Sequence, residues 1–419
     1  MGEKASTRWS LVVAGFIINL CLGTIYAWSV FRKPIEAAPY SLTKAESVIP
    51  FSVFLLAFGV SFAFSGRMVG KVGPRRPALI GSILLSAGYL LCYSISMFPG
   101  YSLAITVVAF GLIAGTGCGF AYNPPIATVG RWFPDKRGLA LGLTVMGFGL
   151  SALVTAPAVD AMVSLMGLPN TFLTLGLVFL VLLSVLGRFM KFPSADWKAP
   201  LPPASAQSES CRPSAIDFTD SQMVRTSTFY ITWLIYLFGA GAGLMVIGYA
   251  KPIAETVTGL TGDLGWLAVL AVSVLAVSNA VGRPLFGSIC DRIGPKYTLL
   301  IMQGIQLLSL LVLFPYANNV AVLYAAIILF AATFGAYLSV MPTLVCYFFG
   351  TKNMGPNYGM YLSAYGVGGV VCPMIMAFIV GSAPTAETYV QGFYATAALI
   401  VAAVLLALIM KNPKPPKAT

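Results

Sequence analysis

Apolar runs of about twenty residues recur along the whole chain, and each is long enough to cross a hydrocarbon core of about 30 Å as a helix. No other feature restricts the fold as severely. A segment in lipid has no water for its backbone polar groups, so it must be helical or part of a closed barrel, and the alternating pattern of barrel strands is absent. Twelve runs cover residues 9–31, 45–64, 77–96, 101–128, 139–158, 172–186, 229–248, 267–289, 297–316, 321–349, 358–380 and 392–410. The first exceeds a signal-peptide core and is expected to stay as a helix. Composition agrees, since 58% of the 419 residues are hydrophobic and 9% charged, against about 25% charged in a soluble domain.

A net charge of +12 would suit nucleic acid, but the basic residues follow topology. With the N-terminus in the cytoplasm, 20 of the 25 Lys and Arg residues fall on the inner side, four outside (Arg32, Lys33, Lys44, Lys251) and one, Arg283, inside a span. That bias places both termini in the cytoplasm. The seven cysteines, among them Cys211 in the hydrophilic centre, stand singly without a C-x-x-C pair, as packing residues and free thiols. Histidine is absent, which removes the commonest catalytic base and metal ligand. No route to an enzyme is visible, and neither cofactor nor metal is expected.

The hydrophilic stretch 191–225 holds Pro193, Pro200, Pro202, Pro203 and Pro213 among Ser and Ala, the composition of a flexible linker. It divides the chain into 1–190, a linker, and 226–419, with six spans on either side. Each half repeats one loop. Gly66-Arg67-Met68-Val69-Gly70-Lys71-Val72-Gly73-Pro74 returns as Gly287-Ser288-Ile289-Cys290-Asp291-Arg292-Ile293-Gly294-Pro295 at an offset of 221. Lys33-Pro34-Ile35 returns as Lys251-Pro252-Ile253 after spans one and seven. Parallel repeats of this size suit two similar bundles that rock to expose a midplane site to either side.

The run G-x-x-x-D-R-x-G-x-K from Gly287 to Lys296 resembles the signature loop of the major facilitator superfamily. The resemblance implies an all-α membrane protein of the major facilitator fold, with twelve transmembrane helices in two six-helix bundles. It also implies a cytoplasmic gate that uses Gly287, Asp291 and Arg292. The first copy departs from the pattern, with Gly70 where the acid belongs, so an asymmetric gate is expected. Arg131-Trp132-Phe133-Pro134-Asp135-Lys136-Arg137-Gly138 resembles the loop between helices four and five of the oxalate:formate antiporter group, which is related to the monocarboxylate transporters. Tyr26-Ala27-Trp28 and Asn279 to Gly287 extend the likeness, and the overall pattern is similar to bacterial monocarboxylate (lactate) transporters.

Arg283 costs at least a few kcal/mol in a membrane helix and needs a compensating partner. The acids Glu46 and Asp160 fall near outer helix ends and Asp291 in the loop below, so an anionic substrate is the natural partner, and a guanidinium fork fits a carboxylate. The competing reading is an arginine that snorkels or bonds carbonyls. Asn279, one turn earlier on the same face, either orients that fork or bonds a neighbouring helix. The animal monocarboxylate transporters carry an aspartate at the matching place, implicated in proton coupling, which this chain lacks. Tyr122, before Pro124 and Pro125, is a further candidate ligand beside an expected kink. The resemblance puts Tyr365 where the antiporter group has a second basic residue, so a single buried cation favours a monoanion over a dicarboxylate. Tyr26, Phe148, Phe334 and Tyr337 are candidates for the wall.

These readings lead to a secondary transporter of the inner membrane that moves a lactate-like monocarboxylate with a proton by alternating access. The proton travels either on the substrate carboxyl or on Lys33, whose surroundings resemble those of the coupling lysine in the animal transporters. The rivals are carboxylate exchange and a carboxylate sensor that moves nothing. The expected partners are the monocarboxylate, a proton and lipid, with no nucleic acid, and the expected state is a monomer.

Overall fold

The computed structural model describes residues 5–43, 46–194, 197, 214, 216–259, 264–317, 319–381 and 385–415. The described residues carry helices and no strand. The longer α-helices, in order, are α1 (Ala5–Leu22), α2 (Trp28–Glu36), α3 (Ile49–Val72), α4 (Arg75–Cys92), α5 (Gly115–Trp132), α6 (Arg137–Phe189), α7 (Ser227–Val257), α8 (Gly265–Ile293), α9 (Pro295–Leu308), α10 (Val320–Phe349), α11 (Met354–Val380) and α12 (Ala386–Ile409). A 3-10 segment, Gly23–Ala27, joins α1 to α2, and a π-helical stretch, Thr106–Ala114, leads into α5.

Eleven helical stretches among the described residues are long and apolar enough to span a bilayer, and one of them, α6, has 53 residues. An unbroken helix of that length would measure about 80 Å, far more than a hydrocarbon core. It is broken at Gly167, where φ is 79° and ψ 165°, and so supplies two of the twelve expected crossings. The molecule is a multi-pass membrane protein.

Several helix ends differ from those expected. Lys33-Pro34-Ile35 lies inside α2, because a proline in the last turn costs only one internal hydrogen bond. Lys251-Pro252-Ile253 lies inside α7. Asp291 and Arg292, expected in a loop, belong to the last turn of α8, which runs to Ile293 and leaves Arg283 about 15 Å from that end. Of the expected linker, residues 195–196, 198–213 and 215 lie outside those described, and with them Lys198, Cys211 and Arg212; Lys44 is outside them too.

The repeated loop folds the same way twice. Gly73 ends α3 with φ 81° and ψ 172°, and its N–H bonds Val69 O at 3.1 Å. Gly294 ends α8 with φ 83° and ψ 164°, and its N–H bonds Cys290 O at 2.9 Å. A side chain at that φ is strained, so glycine stops the helix there, and the proline that follows opens α4 and α9 with its φ preset.

The contacts divide the chain into two compact units. The first holds residues 1–134, 143–200 and 352–363, and the second holds 135–142, 201–351 and 364–419. Inside the first unit, Gly115, Gly117 and Gly119 let α5 lie directly on the backbones of α3 and α4, the usual device where lipid supplies no hydrophobic drive between helices. Rings fill the rest, with Trp28 stacked on Phe110 at 4.2 Å and Phe31 on Phe172 at 4.9 Å. In the second unit, α8 and α10 meet at Gly282 and Gly335, and Phe314 stacks on Phe393 at 5.1 Å.

Candidate functional site

In the second unit, Arg283 is buried, with 1% of its surface exposed. Its Nε and Nη2 both donate to Asn279 Oδ1, at 3.2 and 2.8 Å. The spacing of four residues that put Asn279 on the same face of α8 therefore yields a two-point grip on the guanidinium. Asn279 fixes the direction of the fork without cancelling its charge. The backbone is held as well, because Ser339 Oγ donates to Arg283 O at 2.8 Å. A Cβ at Gly142 would stand 2.5 Å from the same carbonyl, and a Cβ at Gly335 would overlap the Asn279 carbonyl. The arginine thus sits on a helix pinned from α10 and from the first turns of α6.

Phe334 and Tyr337 flank that Gly335 contact on α10, and both are buried. Phe334 stacks on Tyr365 with centroids 6.3 Å apart, Tyr365 meets Tyr236 at 6.1 Å, and Tyr236 stacks on Tyr337 at 6.1 Å. Tyr236, from α7, completes the row and was missed in the sequence, where one tyrosine in an apolar run carries no signal. Two expected wall residues, Phe334 and Tyr337, and the expected site residue Tyr365 are therefore joined on the unit that carries Arg283.

The other expected residues gather in the first unit. Tyr26 meets Phe148 edge-on at 5.1 Å, and Tyr122 meets Phe148 at 5.1 Å. Phe58, not singled out in the sequence, joins them, 5.5 Å from Tyr122 and 6.1 Å from Phe148. Helix α5 continues through Pro124 and Pro125, and Asn123 Nδ2 donates to Gly355 O at 3.3 Å. Lys33 is exposed in the last turn of α2. Its neighbour Arg32 is bound instead, to Glu36 at 3.0 Å and to Ser47 Oγ at 2.9 Å.

Asp291 ends up at the start of α6. Its two carboxylate oxygens accept from Gly138 N at 2.7 Å and Leu139 N at 2.9 Å, where a negative charge meets free amides and the positive end of a helix. Beside it Gly287 and Gly138 are in backbone contact, while Arg292 is exposed. The first unit holds a copy of this junction: Gly66 lies against Gly355 in the first turn of α11, and Gly70, at the place of Asp291, lies against Pro356. Proline has no N–H to donate. The missing acid of the first loop therefore faces a residue that could not have bonded it. At the same sequence offset Phe62 corresponds to Arg283, so one half carries the cation and the other a ring.

The Major Facilitator Superfamily profile matches residues 11–315 and, overlapping, 234–419. The chain belongs to that superfamily. As a facilitator it is a secondary transporter by descent and fold, and two kinds of relative agree. It is 27% identical over 362 residues to the oxalate:formate antiporter of Oxalobacter formigenes, covering 85% of this chain and 81% of that protein. It is 26% identical over 436 residues to monocarboxylate transporter 12 of Xenopus laevis, covering 97% and 90%. Among solved structures, the facilitator FucP in its outward conformation matches with a TM-score of 0.69 at 17% identity, over 97% of this chain and 99% of that one, which shows the shared fold.

Proposed function

We propose that this facilitator carries a short, lactate-like monocarboxylate across the inner membrane with a proton, by alternating access, with both termini in the cytoplasm. The observation that carries this reading is the buried guanidinium of Arg283, held by the neutral Asn279 in the unit that also carries a row of aromatic rings. A carboxylate carries the charge opposite to a guanidinium, and its two oxygens fit the planar fork. The names of the relatives point to the same class of cargo. A tyrosine, Tyr365, stands where the antiporter resemblance places a second cation, and one cation balances one carboxylate; a dicarboxylate would keep a charge unmatched in a medium of low dielectric. Tyr26, Tyr122 and Phe148 are the further substrate-binding residues of this reading, and Gly287, Asp291 and Arg292 form the gate. The proton accompanies the substrate carboxyl or binds Lys33.

The test is uptake of labelled lactate, formate and oxalate into proteoliposomes, with and without an inward proton gradient. Lactate uptake that the gradient accelerates, with little oxalate uptake, is the expected result. Uptake of none of the three refutes the substrate class. A second reading, exchange of one carboxylate for another, draws on the oxalate:formate antiporter relative and predicts counterflow that needs internal carboxylate and ignores the proton gradient.

A further inference from the structure

Two glutamines, Gln303 and Gln306, lie three residues apart on α9 and are both wholly buried. An amide without hydrogen bonds in such surroundings costs several kcal/mol, so their presence in an otherwise apolar stretch calls for a reason. Gln306 is engaged at both ends. Its Nε2 donates to Gly239 O on α7 at 3.2 Å, and its Oε1 accepts from the Tyr337 hydroxyl on α10 at 3.3 Å. Gln303 faces the same hydroxyl, yet neither of its amide atoms makes a hydrogen bond of normal geometry.

Gly239 matters for a second reason, since a Cβ there would overlap the hydroxyl and ring of Tyr337. One turn on, a Cβ at Gly243 would overlap the Phe334 ring. Helix α7 therefore offers two shelves, and α10 lays an aromatic ring on each. The Phe334 ring has only packing to fix it, whereas Tyr337 is also tied by its hydroxyl. Through Tyr236 and Tyr365 the same rings form one continuous row.

We propose that Gln306 is a positioning residue: by holding the Tyr337 hydroxyl against the α7 backbone it fixes the aromatic row of the unit that carries Arg283, and so sets the size of acid the transporter accepts. Gln303 is the reserve partner, which takes the hydroxyl when Gln306 is absent. This inference rests on the reading of Arg283 and its aromatic neighbours as a carboxylate site.

The experiment compares initial uptake of lactate with that of a longer monocarboxylate, hexanoate, in proteoliposomes carrying wild type, Gln306→Leu, Gln303→Leu, the double variant and Tyr337→Phe. Wild type should prefer lactate. In Gln306→Leu the ratio of the two uptakes should move towards hexanoate by about threefold, through KM with kcat kept, because Gln303 recovers part of the bond. In the double variant and in Tyr337→Phe the shift should reach about tenfold, the equivalent of one lost hydrogen bond. Gln303→Leu alone should leave the ratio unchanged. A merely structural glutamine would lower kcat for both acids together and leave their ratio where it was, and that result overturns the proposal. If the glutamine variants fail to fold, Tyr337→Phe decides, and a wild-type ratio there refutes it. If wild type carries neither acid, the carboxylate reading itself has failed and this inference falls with it; if wild type carries lactate and no variant shifts the ratio, only the role of Gln306 is refuted.

Discussion

Replacing Arg283 with glutamine is the most searching perturbation. The arginine is 1% exposed and bonds Asn279 Oδ1 through Nε and Nη2, so a glutamine, which retains an amide donor, can still reach that oxygen. Folding and insertion should survive, because the change removes a buried charge that costs at least a few kcal/mol in a membrane helix. The substrate loses its counter-charge. Truncating one member of a buried, hydrogen-bonded ion pair costs about 2–5 kcal/mol, and 1.4 kcal/mol corresponds to tenfold. Allowing for the amide that remains, we expect uptake of lactate at low concentration to fall by a factor on the order of 100 to 1,000. Arg283→Lys keeps the charge and loses the fork, and should fall between glutamine and wild type. The assay is initial-rate uptake in proteoliposomes, normalised to inserted protein and paired with thermal unfolding in detergent. Uptake by Arg283→Gln within threefold of wild type would show that the guanidinium does not meet the cargo.

Four further expectations follow from the same geometry. Asn279→Asp places a carboxylate under the guanidinium as a permanent counter-ion, so uptake should be weak at neutral pH and recover as acid protonates the new group; a pH profile like that of wild type refutes this. Gly335→Ala drives a methyl group into the Asn279 carbonyl and should lower both thermal stability and uptake, with a cost of about 1–3 kcal/mol, measured by unfolding in detergent. Asp291→Ala strips the acceptor from two amides bonded at 2.7 and 2.9 Å and should cost about 2–4 kcal/mol, while Asp291→Asn, which keeps one carbonyl oxygen, should cost less. Gly70→Asp should gain less stability alone than with Pro356→Leu, because Gly355, the counterpart of Gly138, keeps its N–H while Pro356, the counterpart of Leu139, has none; equal melting temperatures for Gly70→Asp with and without that second change would refute the explanation.

The fold was legible because lipid leaves so few options: once an apolar run passes twenty residues, helix is the remaining choice. The ends were harder to read. Asp291 and Arg292 look like loop residues by composition, but Gly294 is where the backbone turns, and the helix continues to meet it. Arg283 and Asn279 were legible as a pair because a charge in a span is expensive and four residues make one turn. The grouping of Phe334, Tyr236, Tyr337 and Tyr365 was only partly so, since three helices contribute and no local spacing relates them. Gln303 and Gln306 carry a signal of their own: two amides on one face of a membrane helix cost several kcal/mol each unless bonded, which points to polar partners on the neighbouring helices.

The duplicated junctions at the starts of α6 and α11 differ by one carboxylate and one amide hydrogen. Acid that neutralises a carboxylate can loosen the first and has nothing to act on in the second, so two copies of one backbone come to answer different chemical conditions. In the first unit's copy, Gly70 and Pro356 meet by packing.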